Sequence, residues 1–130
     1  MKEIIVVADN ETGSLAAVSE ALGAVGVNIE AVSAYGLDGK AIFRIITNDV
    51  KTAIKALSRL PNVEIREADT IVYKMINRPG ELAKITRKLA NRGVNLESLY
   101  IVSRKQDVTE VAIRPAESDM EKAREVLGIK

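Results

Sequence analysis

At 130 residues, with 47% apolar and 28% charged residues and a formal net charge of +1, the chain has the composition of a soluble globular protein of one ordinary domain or two small ones. It contains no cysteine and no histidine, which removes disulfides, thiolate chemistry and the commonest general base and metal ligand at neutral pH. The longest apolar run near the start, residues 4–8, is too short for a membrane span or a secretory signal, so a cytoplasmic location is expected.

Charge is balanced along the chain. Residues 1–67 carry 7 basic and 9 acidic residues, a net of −2, and residues 68–130 carry 12 and 9, a net of +3. Neither half has the basic excess that nucleic-acid binding needs. Arg87, Lys88 and Arg92 cluster on one predicted helix, opposite its apolar side, and read as a solvated face.

Residues 3–8 are short, continuous and β-branched, and read as a buried strand. Residues 9–13 carry turn formers and make a loop. A helix follows over 14–25, with Leu15, Val18, Leu22 and Val25 expected on its apolar side, closed by Gly26. Residues 27–35 form a strand, 36–39 a turn and 40–47 a second strand hairpinned to the first. Asn48 or Asp49 caps the next helix, whose inward residues are Val50, Ile54, Leu57 and Leu60. Pro61-Asn62 stops it, and residues 63–67 alternate as a half-exposed strand.

The pattern then begins again. A strand over 70–76 leads through Asn77-Arg78-Pro79-Gly80 into a helix over 81–92, whose apolar face is Leu82, Ile85 and Leu89. Gly93 stands where a left-handed cap is expected. Strands over 94–103 and 108–114 flank a polar turn at 104–107. Pro115 ends the second, and Ser118 or Asp119 caps a last helix with Met120, Ala123 and Leu127 inward. An offset of 67 residues superimposes residues 10–30 on 77–97 with nine identities and no gap, among them Asn10/Asn77, Gly13/Gly80, Gly26/Gly93 and Asn28/Asn95. Loop and core residues agree together, which argues a duplicated unit. The third strands match only loosely, so a difference of one residue in their register is expected.

Each unit is a split βαβ pair, an α+β ferredoxin-like (βαββαβ) arrangement of two helices on a four-stranded antiparallel sheet. The expected units are 1–68 and 69–130. By the offset, the second lacks its last strand, which leaves the strand over 70–76 at an open edge. Another strand, from the chain or from a second subunit, is expected to cover it.

Asn77-Arg78-Pro79-Gly80 followed by Gly93-Val94-Asn95 resembles the effector-binding segment of ACT domains, as in the regulatory domain of phosphoglycerate dehydrogenase. Arg92-Gly93-Val94-Asn95-Leu96-Glu97-Ser98-Leu99 is similar to the small regulatory subunit of acetohydroxyacid synthase. The first unit departs from the pattern with Thr12 in place of proline, yet keeps Asn10, Gly13, Gly26 and Asn28. The resemblance implies a free-standing, non-catalytic tandem ACT protein that binds a free amino acid at ACT–ACT interfaces and relays occupancy to a partner enzyme of amino-acid metabolism. It implies self-association as a homodimer or larger homo-oligomer, and the acetohydroxyacid synthase likeness points to a branched-chain ligand. Carried over residue by residue, the binding positions are Asn77, Arg78, Pro79, Gly80, Glu81, Leu82, Asn95 and Leu96, with Asn10, Gly13, Ser14 and Asn28 in the first unit.

The chemistry of these residue types agrees. A zwitterion needs a donor for its carboxylate and an acceptor for its ammonium, and an asparagine offers both without net charge. A helix entrance at Gly80 or Gly13 adds unpaired N–H groups and the positive end of a dipole. No phosphate-binding loop, dinucleotide fingerprint or metal-ligand cluster is present, so neither a cofactor nor a metal is expected. The rival reading is an assembly or adaptor module that keeps the fold without a ligand. RNA binding is weaker, because neither unit has the aromatic strand motif of RNA-recognition domains. A lysine- or carboxylate-based enzyme has no recognisable constellation.

Overall fold

The computed structural model describes residues 1–129; Lys130, the last residue of the expected second unit, lies outside the described residues. Two compact units form, residues 2–69 and residues 70 onward together with Met1.

The first unit runs β1 (Lys2–Asp9), α1 (Ser14–Ala24), β2 (Ile29–Leu37), β3 (Lys40–Thr47), α2 (Val50–Leu57) and β4 (Glu64–Asp69). Its sheet has the order β2-β3-β1-β4, and every neighbouring pair is antiparallel. Alternate residues of β1 and β3, namely Ile4, Val6, Phe43 and Ile45, meet Val18 and Leu22 of α1 and Ala53 and Leu57 of α2 in one core. The hairpin between β2 and β3 turns on only two residues, Asp38 and Gly39, at φ 51° and 76°. Two successive positive φ values match a tight hairpin's twist to that of its strands. β2 therefore continues through Gly36 and Leu37, which the sequence assigned to the turn.

The second unit runs β5 (Ile71–Ile76), α3 (Glu81–Asn91), β6 (Leu96–Lys105), β7 (Val108–Pro115) and α4 (Met120–Leu127), with sheet order β5-β7-β6. Ile71, Val111 and Ile113 pack against Ile85 and Leu89 of α3 and Ala123 and Leu127 of α4. Both units are thus α+β and ferredoxin-like, and the second lacks its last strand. Among the described residues the chain supplies no strand to the outer edge of β5.

The repeat changes phase within β6. Paired residues in β2 and β3 map onto β6 at an offset of 67 and onto β7 at an offset of 68: Ala34↔Phe43 becomes Ile101↔Val111. The next pair, Tyr35↔Ile42, becomes Ser103↔Glu110, at 68 on both strands. Val102 is the extra residue, accommodated in a bulge between Ile101 and Ser103 that β2 lacks.

Two local expectations are corrected. Leu15 is 40% exposed and Val25 likewise, so neither belongs to the core. Apolar residues surround α1 on nearly all sides, so periodicity did not single out the Val18–Leu22 stripe that the sheet buries. Asp49 caps α2 as expected, accepting from the Thr52 N–H at 3.1 Å and its hydroxyl at 2.7 Å. Asp119 does not cap α4. The chain enters that helix through a 3₁₀ turn, Glu117–Asp119, and the Asp119 carboxylate accepts instead from the backbone N–H of Asn95 at 2.9 Å.

Candidate functional site

In both units the loop after the first strand is laced to the neighbouring hairpin by the backbone of its asparagine. Asn10 N–H donates to the Gly39 carbonyl at 3.0 Å, and Asn77 N–H donates to the Asp107 carbonyl at 2.7 Å. Gly13 and Gly80 then turn the chain into the helix in the left-handed region, at φ 91° and 86°, where a side chain would be strained. The two entrances therefore share a backbone and differ only in side chains.

In the first unit the side chains leave a space. An open cavity of about 380 Å³ lies between the start of α1 and the end of β2, bordered by Asn10, Gly13, Ser14, Leu15, Gly36 and Phe43. Gly36 lies directly against Asn10. A Cβ there would stand 2.8 Å from Asn10 Nδ2, so only glycine lets the asparagine amide lie across the strand. The Ser14 hydroxyl donates to the Asp9 and Glu11 carbonyls, both at 2.9 Å, and fixes the loop. No side chain caps α1 and no acidic residue occupies its first turn. Ala34, Ala41 and Phe43 give the cavity an apolar floor.

The second unit carries different side chains at the same place. Arg104 stands where the first unit has Gly36, opposite Thr109 in place of Ala41. The Asn77 amide donates to the Gln106 carbonyl at 3.1 Å. At the helix entrance Glu81 is nearly buried and holds Arg78, whose Nε donates to its carboxylate at 2.9 Å, with Lys84 at 3.4 Å. Arg78 above all, and Lys84 after it, hold the Glu81 carboxyl below its usual range. An internal carboxylate thus already sits at the positive end of α3. Pro79 and Gly80 are exposed, and Leu82 is half-buried.

Asn28 and Asn95 lie elsewhere. Both precede the second strand of their unit, and their N–H groups are taken by the Asn48 side chain at 3.1 Å and by Asp119. The register puts Asp9 and Leu37 beside Lys40 but Ile29 beside Thr47, so Asn10 and Asn28 stand at opposite ends of one sheet, about 23 Å apart at the strand rise. Asn77 and Asn95 are separated in the same way, and Leu96 at the far end packs on the core. No single unit brings its two asparagines to one small ligand. The sequence reading missed Gly36, Ala34, Ala41 and Phe43; a lone glycine inside a strand was the available signal. Among the described residues no cluster of acidic or other metal-binding side chains forms, and no helix is long and apolar enough to cross a membrane.

The family model of the ACT domain matches residues 70–128. A crystal structure of a Bacteroides thetaiotaomicron protein is 31% identical, covering 98% of this chain and 85% of that one, with a TM-score of 0.85. The chain belongs to the ACT-domain family. The fold is also that of the regulatory subunit of aspartate kinase from Thermus thermophilus, with a TM-score of 0.66 at 18% identity over 98% of this chain and 90% of that one. It is likewise that of aspartokinase alpha and beta subunits, with a TM-score of 0.68 at 21% identity over 97% and 89%. No curated protein matches the chain. Within this ACT protein the matched residues form the second unit, whereas the open cavity lies in the first.

Proposed function

We propose that this ACT protein is a non-catalytic regulatory protein whose first repeat binds a free amino acid and whose occupancy is relayed to a partner enzyme or regulator. The observation that carries this reading is the cavity at the uncapped start of α1, where Gly36 makes room for the Asn10 amide. The ligand carboxylate takes the N–H groups of the first helical turn, and the Asn10 amide and Glu11 carboxylate serve its ammonium. The floor of Ala34, Ala41 and Phe43 accepts an apolar side chain, in keeping with a branched-chain ligand. Beside the cavity the edge strand β2 exposes Val32, Tyr35 and Leu37 at 46%, 41% and 55%, a surface on which a second copy's ACT domain can close over the ligand. Such a dimer is also the way for Asn28 or Asn95 to reach a ligand, since neither shares an end of the sheet with its own loop. Asn77 to Leu82 belong to this proposal as the related entrance that carries its own ion pair.

The test is a thermal-melt series against the twenty amino acids. A ligand at about a hundred times its dissociation constant adds roughly 2.7 kcal/mol, which raises the melting temperature by several degrees. The Gly36→Ala variant, which displaces only the flexible end of Asn10, keeps its melting temperature and loses about tenfold in affinity, ~1.4 kcal/mol. A cooperatively melting protein that no amino acid stabilises sinks the reading. The second reading, an assembly module without a ligand, has the exposed apolar residues of β2 in its favour.

A further inference from the structure

Three small residues shape the hollow of the first unit, and each has a larger counterpart in the second. On the face of the sheet that carries Phe43 and Ile45 into the core, the cross-strand pairs run Val32↔Ile45, Ala34↔Phe43 and Gly36↔Ala41. The second unit has Leu99↔Ile113, Ile101↔Val111 and Arg104↔Thr109 at the same places. Ala34, Gly36 and Ala41 therefore stand where Ile101, Arg104 and Thr109 do. Ala41 is buried in the core, which limits its size. Ala34 is exposed on the edge strand, outside the core cluster. Ile101, its counterpart, is 46% exposed, so the same backbone carries an isoleucine there without burying it. Strands favour branched residues, and packing does not demand an alanine at this position.

The room that Ala34 leaves belongs to the cavity, which it borders together with Leu15 of α1 and Phe43. Gly36 and Ala34 are two residues apart on one face, about 7 Å at the strand rise. A ligand whose charged groups sit at Asn10 and the start of α1 thus meets Ala34 with the end of its side chain. We propose that Ala34 decides which amino acid the cavity takes. It admits an aliphatic side chain of valine to leucine size and favours it over glycine and alanine, whose side chains end short of the hollow. This selection presupposes the amino-acid site proposed above and adds the residue that discriminates. A single methylene in an apolar pocket changes affinity by about 10–200-fold, so leucine should exceed alanine by at least about tenfold.

The experiment is a calorimetric titration of the whole chain with glycine, alanine, valine and leucine, repeated on Ala34→Val and Ala34→Ile. Both variants keep the parent's melting temperature, since valine and isoleucine suit an exposed strand position. Their side chains occupy the hollow, so leucine affinity falls by about tenfold or more, and further in Ala34→Ile than in Ala34→Val. Glycine and alanine affinities hold within about twofold, and the preference for leucine is lost. An equal loss for all four ligands overturns the inference, because a change of fold or assembly weakens them alike. So does an undiminished preference for leucine in Ala34→Ile. A parent that binds other amino acids but none of these four overturns the selection alone, whereas one that binds no amino acid takes the proposed site with it.

Discussion

Gly36 and Glu81 show how one side chain decides what a shared backbone can do. Both helix entrances have the same left-handed glycine and the same laced asparagine, yet one borders a cavity and the other carries its own ion pair. The Glu81 carboxyl titrates lower in the folded chain than its ordinary 4.5, so its stabilising effect is complete above that value and is lost as pH falls through the folded one. Glu81→Gln removes that dependence: between pH 7 and pH 3 the variant's melting temperature falls less steeply than the parent's. A parallel fall in both proteins would show that other carboxylates dominate acid unfolding. Glu81 was legible in the sequence as a helix-entrance residue, but not as the partner of Arg78, because an ion pair three residues apart competes with a ligand contact only once burial is known.

At the scale of the element, α1 is the instructive case. Its composition is apolar almost all round, so its buried stripe is chosen by the sheet beneath it and not by its own period. Leu22 is fully buried and Leu15 is 40% exposed. Leu22→Ala should cost about 2–5 kcal/mol in denaturant unfolding, as cavity-forming substitutions do. Leu15→Ala should cost within about 0.5 kcal/mol and instead weaken amino-acid binding, since Leu15 borders the cavity. Asp49 and Asp119 make a second contrast. Both look like caps in sequence, but only Asp49 caps, so Asp49→Ala lowers the melting temperature by loosening α2, whereas Asp119→Ala leaves helix content unchanged and speeds amide exchange at Asn95.

For the whole molecule, the proposed ligand and partner give regulation a measurable form. If amino-acid occupancy is relayed to a bound partner, the amino acid must change the affinity for that partner, and the partner must change the affinity for the amino acid by the same factor. Calorimetric titrations of each ligand with and without the other should give matching factors of roughly 5–150, the range of a 1–3 kcal/mol coupling. Two saturable sites with no mutual effect would leave binding intact and remove the relay.

The sequence by itself determined the duplicated α+β plan, the missing strand of the second unit and the positions of the glycine-led helix entrances. Those features are written in local period and in turn chemistry, which act within a few residues of chain. It did not determine which entrance carries its own ion pair, where β6 takes up Val102, or which asparagines can meet a ligand. Strand register sets these by pairing residues far apart in the chain. A one-residue change of phase replaces Gly36 by Arg104 beside the loop, and seven residues of β3 carry Asn28 to the opposite end of the sheet from Asn10.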